Sequence, residues 1–407
     1  MSESDFSKER VSLGDIQPAG SRGMWQRSAV ALVDGQAVVG TNGQVRGVSI
    51  APDDGKEWAV ETDDEYVVSL AAGPNGTVIA GGRGESGIIT AIDADGTVRW
   101  RYRTVEDLGS AQKKSLFFLP YVVAIVTDDE RIYVAARRYE RDSEDRAFRS
   151  TVYAFSSEGG LEWTYRADAS PIALDSRGEH LAVAYNRCPG DHQCGLIVLD
   201  TGTGNERLTW DPGTNGDRRS GDVSLFDDGI VVASHGDYRG YCLDKSGSER
   251  WSVDLARPVE IGEETLYAYP NHACATGEGV VFVTGNTYLE EGREAEGRHP
   301  HEHTISAYDS NGTERWHASL GGWASELAAE EETIVVPCAQ HFRDRDSTVH
   351  GLRLFDLDDG LAGEHSTEGI VTAVALDGTH VAAIEEPVEY HDSSGIRGQY
   401  RLHLVPR

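Results

Sequence analysis

The chain has 407 residues, and its 68 acidic and 37 basic side chains give a formal net charge of −31. Nucleic acid would be repelled by this charge unless a basic patch offset it, so the composition argues against a nucleic-acid partner. No run of 18 apolar residues occurs, which argues against membrane insertion through a helix. Only five of the basic residues are Lys. Such an acidic, lysine-poor surface suits a high-salt cytoplasm, because salt screens the mutual repulsion of the carboxylates.

The N-terminal segment MSESDFSKERVSLGD contains neither an apolar core nor a lipid-acceptor cysteine. It therefore predicts that the chain stays in the cytoplasm. The five cysteines are odd in number and scattered, in agreement with reduced thiols. Cys188 and Cys194 flank a turn short enough for a disulfide, or for a metal site together with His192. A reduced pair is the favoured interpretation in a reducing compartment.

Short segments of alternating apolar and polar residues, separated by turns, follow one another from Ala29 to the C-terminus. The first unit reads AVALVDG, QAVVGTN, VRGVSIA and KEWAVET, and the second repeats this order as VVSLAAG, GTVIAGG, GIITAID and TVRWRYR. Later units begin near residues 117, 172, 222, 272, 327 and 370. Charged or polar insertions separate the second and third segments of several units, the longest being NTYLEEGREAEGRHPHEH.

A tryptophan marks the fourth segment of six units. These residues are Trp58, Trp100, Trp163, Trp210, Trp251 and Trp316. Their intervals are 42, 63, 47, 41 and 65 residues, and the two long intervals contain insertions. A period of about 40 to 50 residues is typical of the four-stranded blades of a β-propeller. His365 stands where the seventh unit would carry its Trp.

The sequence thus predicts an all-β fold, an eight-bladed β-propeller of four-stranded antiparallel blades that occupies residues 1–407 as a single domain. The last unit has only three segments, and residues 7–15 resemble the missing fourth. Pairing the two chain ends would close the ring three-plus-one and remove two exposed sheet edges. A seven-bladed ring with one unit misread is the alternative.

The AxDxxGxxxW pattern, seen in AIDADGTVRW and AYDSNGTERW, resembles the repeat of the pyrroloquinoline-quinone-like (PQQ-like) propellers. That superfamily includes quinoprotein alcohol dehydrogenases and the BamB-like scaffold branch, and the acidic composition resembles the haloarchaeal type. The resemblance implies that each Trp packs against the neighbouring blade. The quinoprotein enzymes use adjacent cysteines and a calcium or similar ion, and this sequence has neither a Cys–Cys pair nor a distinct ion-binding cluster. We therefore expect no catalytic residue and no cofactor, and a rigid ring whose loops bind proteins.

In a four-stranded blade, the loops between second and third strands lie on the same face as the links between blades. Eight of the fourteen histidines fall in these loops, and each loop carries an Arg. Long, decorated loops on a rigid scaffold are common recognition sites. The predicted partner-binding residues are Arg137, Arg138, Arg141, Arg149, Arg187, Arg239, Arg298, Arg343 and Trp323.

Basic residues also lie in the links between units, close to the expected mouth of the propeller axis. In so acidic a chain they would make this mouth locally positive and able to bind a small anion or an acidic peptide. His272 and Cys274 lie nearby, but a buried Cys is a better interpretation of the pair than a nucleophile with its base. The predicted residues of the axial mouth are Trp25, Arg27, Lys113, Lys114, Arg218, Arg219 and His272.

The segment HPHEH, residues 299–303, is the sharpest local motif. On an extended strand, residues two apart face the same side, so His299, His301 and His303 would converge on Zn²⁺ or another transition metal. The alternative is a solvated loop whose histidines contact only water.

Together these features predict a cytoplasmic, monomeric and non-catalytic propeller that binds a protein partner through its insertion-bearing face. A small-ligand- or metal-dependent enzyme at the axial mouth is the alternative function.

Overall fold

The structure is a computed structural model that describes residues 9–20, 26–50, 57–64, 66–142, 145–214, 216–292, 295–341, 343–390 and 395–407. Nearly all regular structure in these ranges is β-strand, and the prediction of an all-β fold is confirmed. The only α-helix there is α1 (Val105–Leu108), and 3₁₀ turns occur at Pro74–Gly76 and Ser347–Val349. No helix in the described ranges is long and apolar enough to span a bilayer.

The first half of the chain forms eighteen strands. They are β1 (Glu9–Ser12), β2 (Ala19–Gly20), β3 (Ala29–Val33), β4 (Gln36–Gly40), β5 (Gln44–Ser49), β6 (Trp58–Glu61), β7 (Tyr66–Ala72), β8 (Val78–Arg83), β9 (Ile88–Ile92), β10 (Val98–Arg103), β11 (Tyr121–Thr127), β12 (Arg131–Asp142), β13 (Asp145–Ser156), β14 (Leu161–Ala167), β15 (Ser170–Arg177), β16 (His180–Arg187), β17 (Leu196–Asp200) and β18 (Glu206–Trp210).

The second half continues in the same style. Its strands are β19 (Ser220–Phe226), β20 (Gly229–Ser234), β21 (Arg239–Asp244), β22 (Glu249–Asp254), β23 (Val259–Ile261), β24 (Glu264–Thr276), β25 (Gly279–Leu289), β26 (Thr304–Asp309), β27 (Glu314–Ser319), β28 (Ala328–Glu330), β29 (Thr333–Cys338), β30 (Gly351–Asp356), β31 (Gly360–Ser366), β32 (Ile370–Leu376), β33 (His380–Glu386), β34 (Val388–Glu389), β35 (Ile396–Arg397) and β36 (Arg401–Pro406).

The described strands fall into antiparallel groups of four, which we number along the chain; groups 2 and 3 are joined into one sheet by a single pairing of β8 with β11, at Arg83 and Tyr121. Groups 1 to 5 are β3–β6, β7–β10, β11–β14, β15–β18 and β19–β22; group 6 is β24–β27, with β23 added to β24; group 7 is β28–β31. Group 8 combines β32, β33 and β36 with β1 from the other end of the chain, and Glu9 lies opposite Leu404. A small sheet of β2, β34 and β35 lies apart from these groups.

The core consists of apolar layers between consecutive groups. Ala135 and Val152 of group 3 pack with Val183 and Ile197 of group 4, and similar clusters join the other neighbours. A further cluster places Val39 of group 1 against Leu402 of group 8. The sheets therefore bury both faces, which explains why the second and third strands are apolar along most of their length.

A β-bulge recurs near the start of the first strand in several groups. The register of the ladder shifts between residues 122 and 124, 171 and 173, 220 and 222, 270 and 272, and 371 and 373. A bulge leaves its extra residue outside the ladder and bends the strand. Each of these extra residues lines one central cavity: Val123, Ile172, Gly221, Asn271 and Thr372.

Carboxylates near the first strands link neighbouring groups close to that cavity. Asp175 of group 4 accepts a hydrogen bond from the backbone N–H of Leu225 at 2.6 Å, and Asp222 of group 5 accepts one from Ala273 at 3.0 Å. Glu326 accepts one from Val374 of group 8. Burial raises the pKa of Asp175 to about 6 and that of Glu326 to about 7.

The repeated tryptophans join groups on the outer side, as predicted. Trp163 donates its Nε1–H to the carbonyl oxygen of Thr201 in group 4 at 3.0 Å, and Trp316 donates to Leu357 in group 7 at 2.9 Å. His365, at the position of the missing Trp, is buried and faces group 8, where its Nε2 lies 3.2 Å from Nδ1 of His403.

Candidate functional site

A central cavity of about 460 Å³ lies where the starts of the first strands and the ends of the second strands come together. Groups 2 to 8 all contribute to its wall. The aromatic and apolar part of the wall includes Tyr121, Ile172, Tyr269, Tyr288 and Trp323. A concave site of this size, mainly apolar with a few polar groups, has the general character of a small-molecule pocket.

Three guanidinium groups line the central cavity. Arg83 and Arg137 lie over the ring of Tyr121, with Cζ 4.7 and 5.3 Å from its centroid, and Arg218 lies 4.3 Å from the centroid of Tyr269. Stacking on a ring face stabilises a guanidinium but leaves the N–H donors at its edge available to an acceptor. The cavity wall therefore contains guanidinium groups whose positions are restricted by contacts with aromatic rings.

Arg137 is in an unfavourable electrostatic position. Burial, together with the charges of Arg83 and Arg187, lowers the pKa of Arg137 to about 10. Its Nε has essentially no solvent contact and no hydrogen-bond partner among the described residues. The ring of Tyr121 and the ring of Phe148, 5.6 Å from its Cζ, are its main neighbours.

The one carboxylate of the cavity wall is already neutralised. Glu386 is buried, forms an ion pair with Arg27 and accepts hydrogen bonds from Ser28 at 2.8 Å and Thr372 at 3.0 Å. His235, also in the wall, adds no charge, because burial and the nearby Arg218 lower the pKa of His235 to about 3. The described cavity wall is thus net positive inside a strongly acidic protein.

The remaining residues predicted for the axial mouth do not all lie at the central cavity. His272 lines the central cavity, whereas Arg219 is buried and donates to Gln193 at 2.8 Å, away from the cavity wall. Lys113 and Lys114 are exposed, and Lys114 is ion-paired with Glu85 at 2.5 Å. Trp25 lies outside the described residues.

The charged insertion of the third unit, predicted to be a loop at residues 137–150, is instead strand over 137–142 and 145–150, and that prediction is wrong for these residues. Residues 138–142 and 145–149 pair only with each other, because β11 stops opposite Arg137 and β14 stops opposite Ser150. We call the paired residues 138–142 and 145–149 the ribbon. It holds its position because Tyr139 and Phe148 on its inner side pack together and against Phe117 and Phe118 of the preceding link.

Of the ribbon arginines, the outward ones fit a binding role and the inward one does not. Arg141, Arg146 and Arg149 are exposed. Arg138 is buried, donates to the carbonyl oxygen of Leu108 at 2.7 Å and forms an ion pair with Glu140. The prediction of Arg138 as a partner-binding residue is therefore wrong, and Arg137 belongs to the central cavity.

The other arginines of the predicted face are held by contacts within the chain. Arg187 pairs with Asp217 at 2.9 Å and Arg298 pairs with Asp344. Arg343 donates to the carbonyl oxygens of Ala295 and Gly297 at 2.8 and 2.9 Å, which ties two loops together. Arg239 is half-buried. Trp323, placed with these arginines in the prediction, lines the central cavity instead.

The three histidines of HPHEH do not converge, so the predicted metal triad is not formed. Residues 300–303 turn rather than extend, and the strand geometry behind that prediction is absent. Nε2 of His299 lies 3.0 Å from the carbonyl oxygen of Arg257, and Nε2 of His303 lies 2.7 Å from Oδ1 of Asn286.

A different group in the same region brings potential metal ligands together. Glu302, His303 and His341 offer ligand atoms that all lie within 4.8 Å of one another. Their present hydrogen bonds occupy some of those atoms: Nε2 of His341 is 3.0 Å from Oε2 of Glu302, and its Nδ1 accepts from the N–H of Arg343 at 3.0 Å. An ion would have to displace the His341–Glu302 contact.

The five cysteines are free thiols. Sγ of Cys188 donates to the carbonyl oxygen of Cys194 at 3.5 Å, and burial raises the pKa of Cys188 to about 12. Nε2 of His192 contacts that same carbonyl at 3.0 Å. The residues of this turn therefore hydrogen-bond to the backbone and not to one another's thiols.

Residues 41–236 match a family model described as outer membrane protein assembly factor BamB. Over 98% of this chain and 100% of the other, the fold is similar to BamB from Moraxella catarrhalis, with a TM-score of 0.60 and 13% identity. The family match and the shared fold support a PQQ-like β-propeller. The resemblance inferred from the AxDxxGxxxW repeat is confirmed.

Two further comparisons concern the fold. Sqt1 of Saccharomyces cerevisiae gives a TM-score of 0.60 at 11% identity, covering 94% of this chain and 96% of that one. The WD40 beta propeller domain of Doa1 gives a TM-score of 0.46 at 14% identity, covering 77% and 90%. No curated protein sequence matches the chain. At these identities the likeness to BamB and Sqt1 shows the fold alone.

Sequence reasoning missed the aromatic platforms of the cavity. Tyr121 heads the first strand of group 3, and Tyr269 lies within the irregular stretch between Ala268 and His272 of group 6. An aromatic residue at the start of a predicted first strand was the available signal, since that end of the strand faces the expected axis.

Proposed function

We propose that this propeller is a non-catalytic scaffold that binds a protein partner, and that the ribbon, residues 138–142 and 145–149, is the main contact. The ribbon carries the proposal because it extends past the sheet, has a packed aromatic base and exposes three arginines. The likeness to a family described as an assembly factor agrees with a role in binding proteins.

The charge of the ribbon suggests the chemistry of the partner surface. Arg141, Arg146 and Arg149 are exposed, and with Arg138 they balance the four carboxylates in the sequence of residues 138–149. This segment is therefore formally neutral in a protein of net charge −31, and it repels an acidic partner less than the rest of the surface does. Arg149 contacts Glu140 at 3.0 Å but keeps 61% of its side chain exposed. An acidic patch on the partner fits this surface, because complementary charges favour docking in one orientation.

The test compares two sets of charge reversals in co-purification from the native cell at high salt. One variant carries Arg141, Arg146 and Arg149→Glu. The control carries Arg99, Arg101 and Arg250→Glu on outer strands, so that the net charge changes equally. We expect the partner to be lost only from the ribbon variant. Equal recovery with both variants would remove the ribbon from the interface.

We also propose that the eight four-strand groups form one closed, eight-bladed ring from the whole chain. The pairing of β1 with β36 and the apolar cluster between groups 1 and 8 support this arrangement. A reducing, salt-rich cytoplasm is the proposed location, and the free thiols and the acidic composition support it.

A further inference from the structure

The central cavity contains more positive charge than its own residues neutralise. Arg83, Arg137 and Arg218 line it, and the sole carboxylate among its described lining residues, Glu386, is paired with Arg27. Neither Arg137 nor Arg218 has a carboxylate partner within the described part of the chain. This holds although acidic residues outnumber basic ones by 68 to 37 in the chain as a whole.

An unpaired guanidinium in a partly enclosed site is costly, because it loses water and gains no opposite charge. Arg137 is also repelled by Arg83 and Arg187. Cζ of Arg218 lies 4.3 Å from the ring centroid of Tyr269, and Cζ of Arg137 lies 5.3 Å from that of Tyr121, so contacts with an aromatic ring restrict both guanidinium groups before any ligand arrives. Pre-oriented donors lose little freedom on binding, which favours recognition of an anion.

The geometry points to the central cavity as a binding site for a small organic oxyanion, with its carboxylate or phosphate group between Arg137 and Arg218. Guanidinium groups bind both of these oxyanions through paired N–H donors. The body of the ligand lies against Tyr269, Tyr288 and Trp323. Asn271 adds an amide group to the cavity wall, whereas the amide nitrogen of Asn186 is already bonded to the carbonyl oxygen of Ser220 and lies 2.8 Å from Nδ1 of His235. A volume of about 460 Å³ suits a small molecule rather than a folded segment of a partner.

The test measures binding of three probes, inorganic phosphate, citrate and benzoate, to the full chain by calorimetry and by tryptophan fluorescence at fixed ionic strength. The variants are Arg137→Met and Arg218→Met, which keep an unbranched apolar stem. The control is Arg99→Met, because Arg99 is ion-paired with Asp93 on an outer strand at 2.7 Å and its loss changes the net charge equally.

We expect at least one probe to bind the wild type saturably, with affinity falling tenfold or more in each cavity variant and unchanged in the control. Comparing phosphate with the two carboxylates shows which oxyanion the site prefers. Comparing the affinity for benzoate with that for citrate shows whether contact with the aromatic wall contributes to binding. No saturable binding of any probe, or equal binding by the wild type and both cavity variants, would overturn the site.

Thermal unfolding provides a second, independent readout. Without ligand, Arg137→Met is expected to unfold at the same or a higher temperature than the wild type, since a charge without a partner has been removed. With the bound probe, the wild type gains stability and the variant does not. A fall in the unfolding temperature of ligand-free Arg137→Met, beyond that of Arg99→Met, would show that the charge is satisfied within the fold and would contradict the inference.

Discussion

The indole of Trp251 covers Gly312, the residue that turns the chain between the third and fourth strands of the next group. A Cβ atom on Gly312 would lie 2.8 Å from Cδ2 of Trp251, and the indole Nε1 donates to the carbonyl oxygen of Ser310 in the same turn at 2.9 Å. Trp58, Trp100 and Trp163 contact Gly96, Gly159 and Gly204 in the same way, and Cδ2 of Trp316 lies 3.5 Å from the Cβ position of Gly360. At Gly247 the nearest side chain is Leu208 and not Trp210. Five of the six repeated tryptophans therefore cover the turn glycine of the next group, which explains why the two residue types recur together in the sequence.

Replacing Gly312 with Ala is expected to lower the free energy of unfolding by about 2–3 kcal/mol. Its φ of +82° strains any L side chain, and the new methyl group would also push the indole away. Gly262→Ala is the matched control, since Gly262 has a φ of +64° but no atom within 4 Å of its Cβ position. Urea unfolding at constant high salt measures both. Equal losses would mean that strain alone acts and that the Trp contact contributes nothing.

Removing residues 1–12 is expected to lower the unfolding temperature and to promote aggregation. The deletion takes away β1, leaves β36 as an unpaired edge and removes Val11 from the cluster that joins groups 1 and 8. Light scattering and thermal unfolding test this, with a deletion of residues 1–8, which spares β1, as the control. Wild-type behaviour of the longer deletion would contradict closure by the N-terminal strand.

Glu302→Gln is expected to destabilise the protein at neutral pH by about 1–3 kcal/mol. Burial opposes ionisation, but hydrogen bonds from His341 and from the N–H of Thr287 outweigh it and lower the pKa of Glu302 to about 2. A carboxyl whose pKa is depressed in the folded state contributes its full stability above the unfolded pKa, near 4.5, and loses it as pH falls toward 2. The variant should therefore lose less stability than the wild type between pH 5 and 3. Glu332→Gln, at an exposed residue, controls for charge, and parallel pH curves for wild type and Glu302→Gln would refute the assignment.

Glu326→Gln should have the opposite pH signature. The pKa of Glu326 is raised to about 7 by burial, so the folded state binds the proton more tightly than the unfolded state does. The wild type consequently loses stability as pH rises from about 4.5 through 7. The variant is expected to match the wild type near pH 5 and to exceed it at pH 8, as measured by thermal unfolding. Glu326→Ala also removes the acceptor for the N–H of Val374, so it should unfold at a lower temperature than Glu326→Gln at every pH. A difference in unfolding temperature between Glu326→Gln and the wild type that stays the same at every pH would contradict this prediction.

The strands and their grouping were predictable from sequence, because turn glycines, alternation and the repeated Trp all act locally. The central cavity was not. Its wall depends on β-bulges such as those at Val123 and Thr372. No residue type in the sequence predicts where the register of a ladder shifts by one position. The ribbon was not predicted, because most of its residues are charged and its only buried apolar residues are Tyr139 and Phe148. One buried aromatic residue on each strand is too weak a pattern to indicate a strand pair.

Two neighbouring arginines show what could not be predicted from the sequence. Arg137 and Arg138 are adjacent in sequence, yet one lines the cavity without a carboxylate partner among the described residues and the other is buried against Leu108 and Glu140. A strand sends consecutive side chains to opposite faces, so the pair had to separate. The strand pairing that continues past the sheet decides which of the two arginines faces the centre. The composition of the segment does not reveal that pairing.

The pairing of β1 with β36 also bears on how the protein is made. Every strand of groups 1 to 7 is synthesised after Glu9–Ser12 and before Arg401–Pro406. Group 8 can therefore complete its pairing only after groups 1 to 7 have been synthesised, and those groups can form before it. A circularly permuted gene that opens the chain between two other groups would let every sheet form from contiguous residues, and its product should reach the native state with less dependence on chaperones.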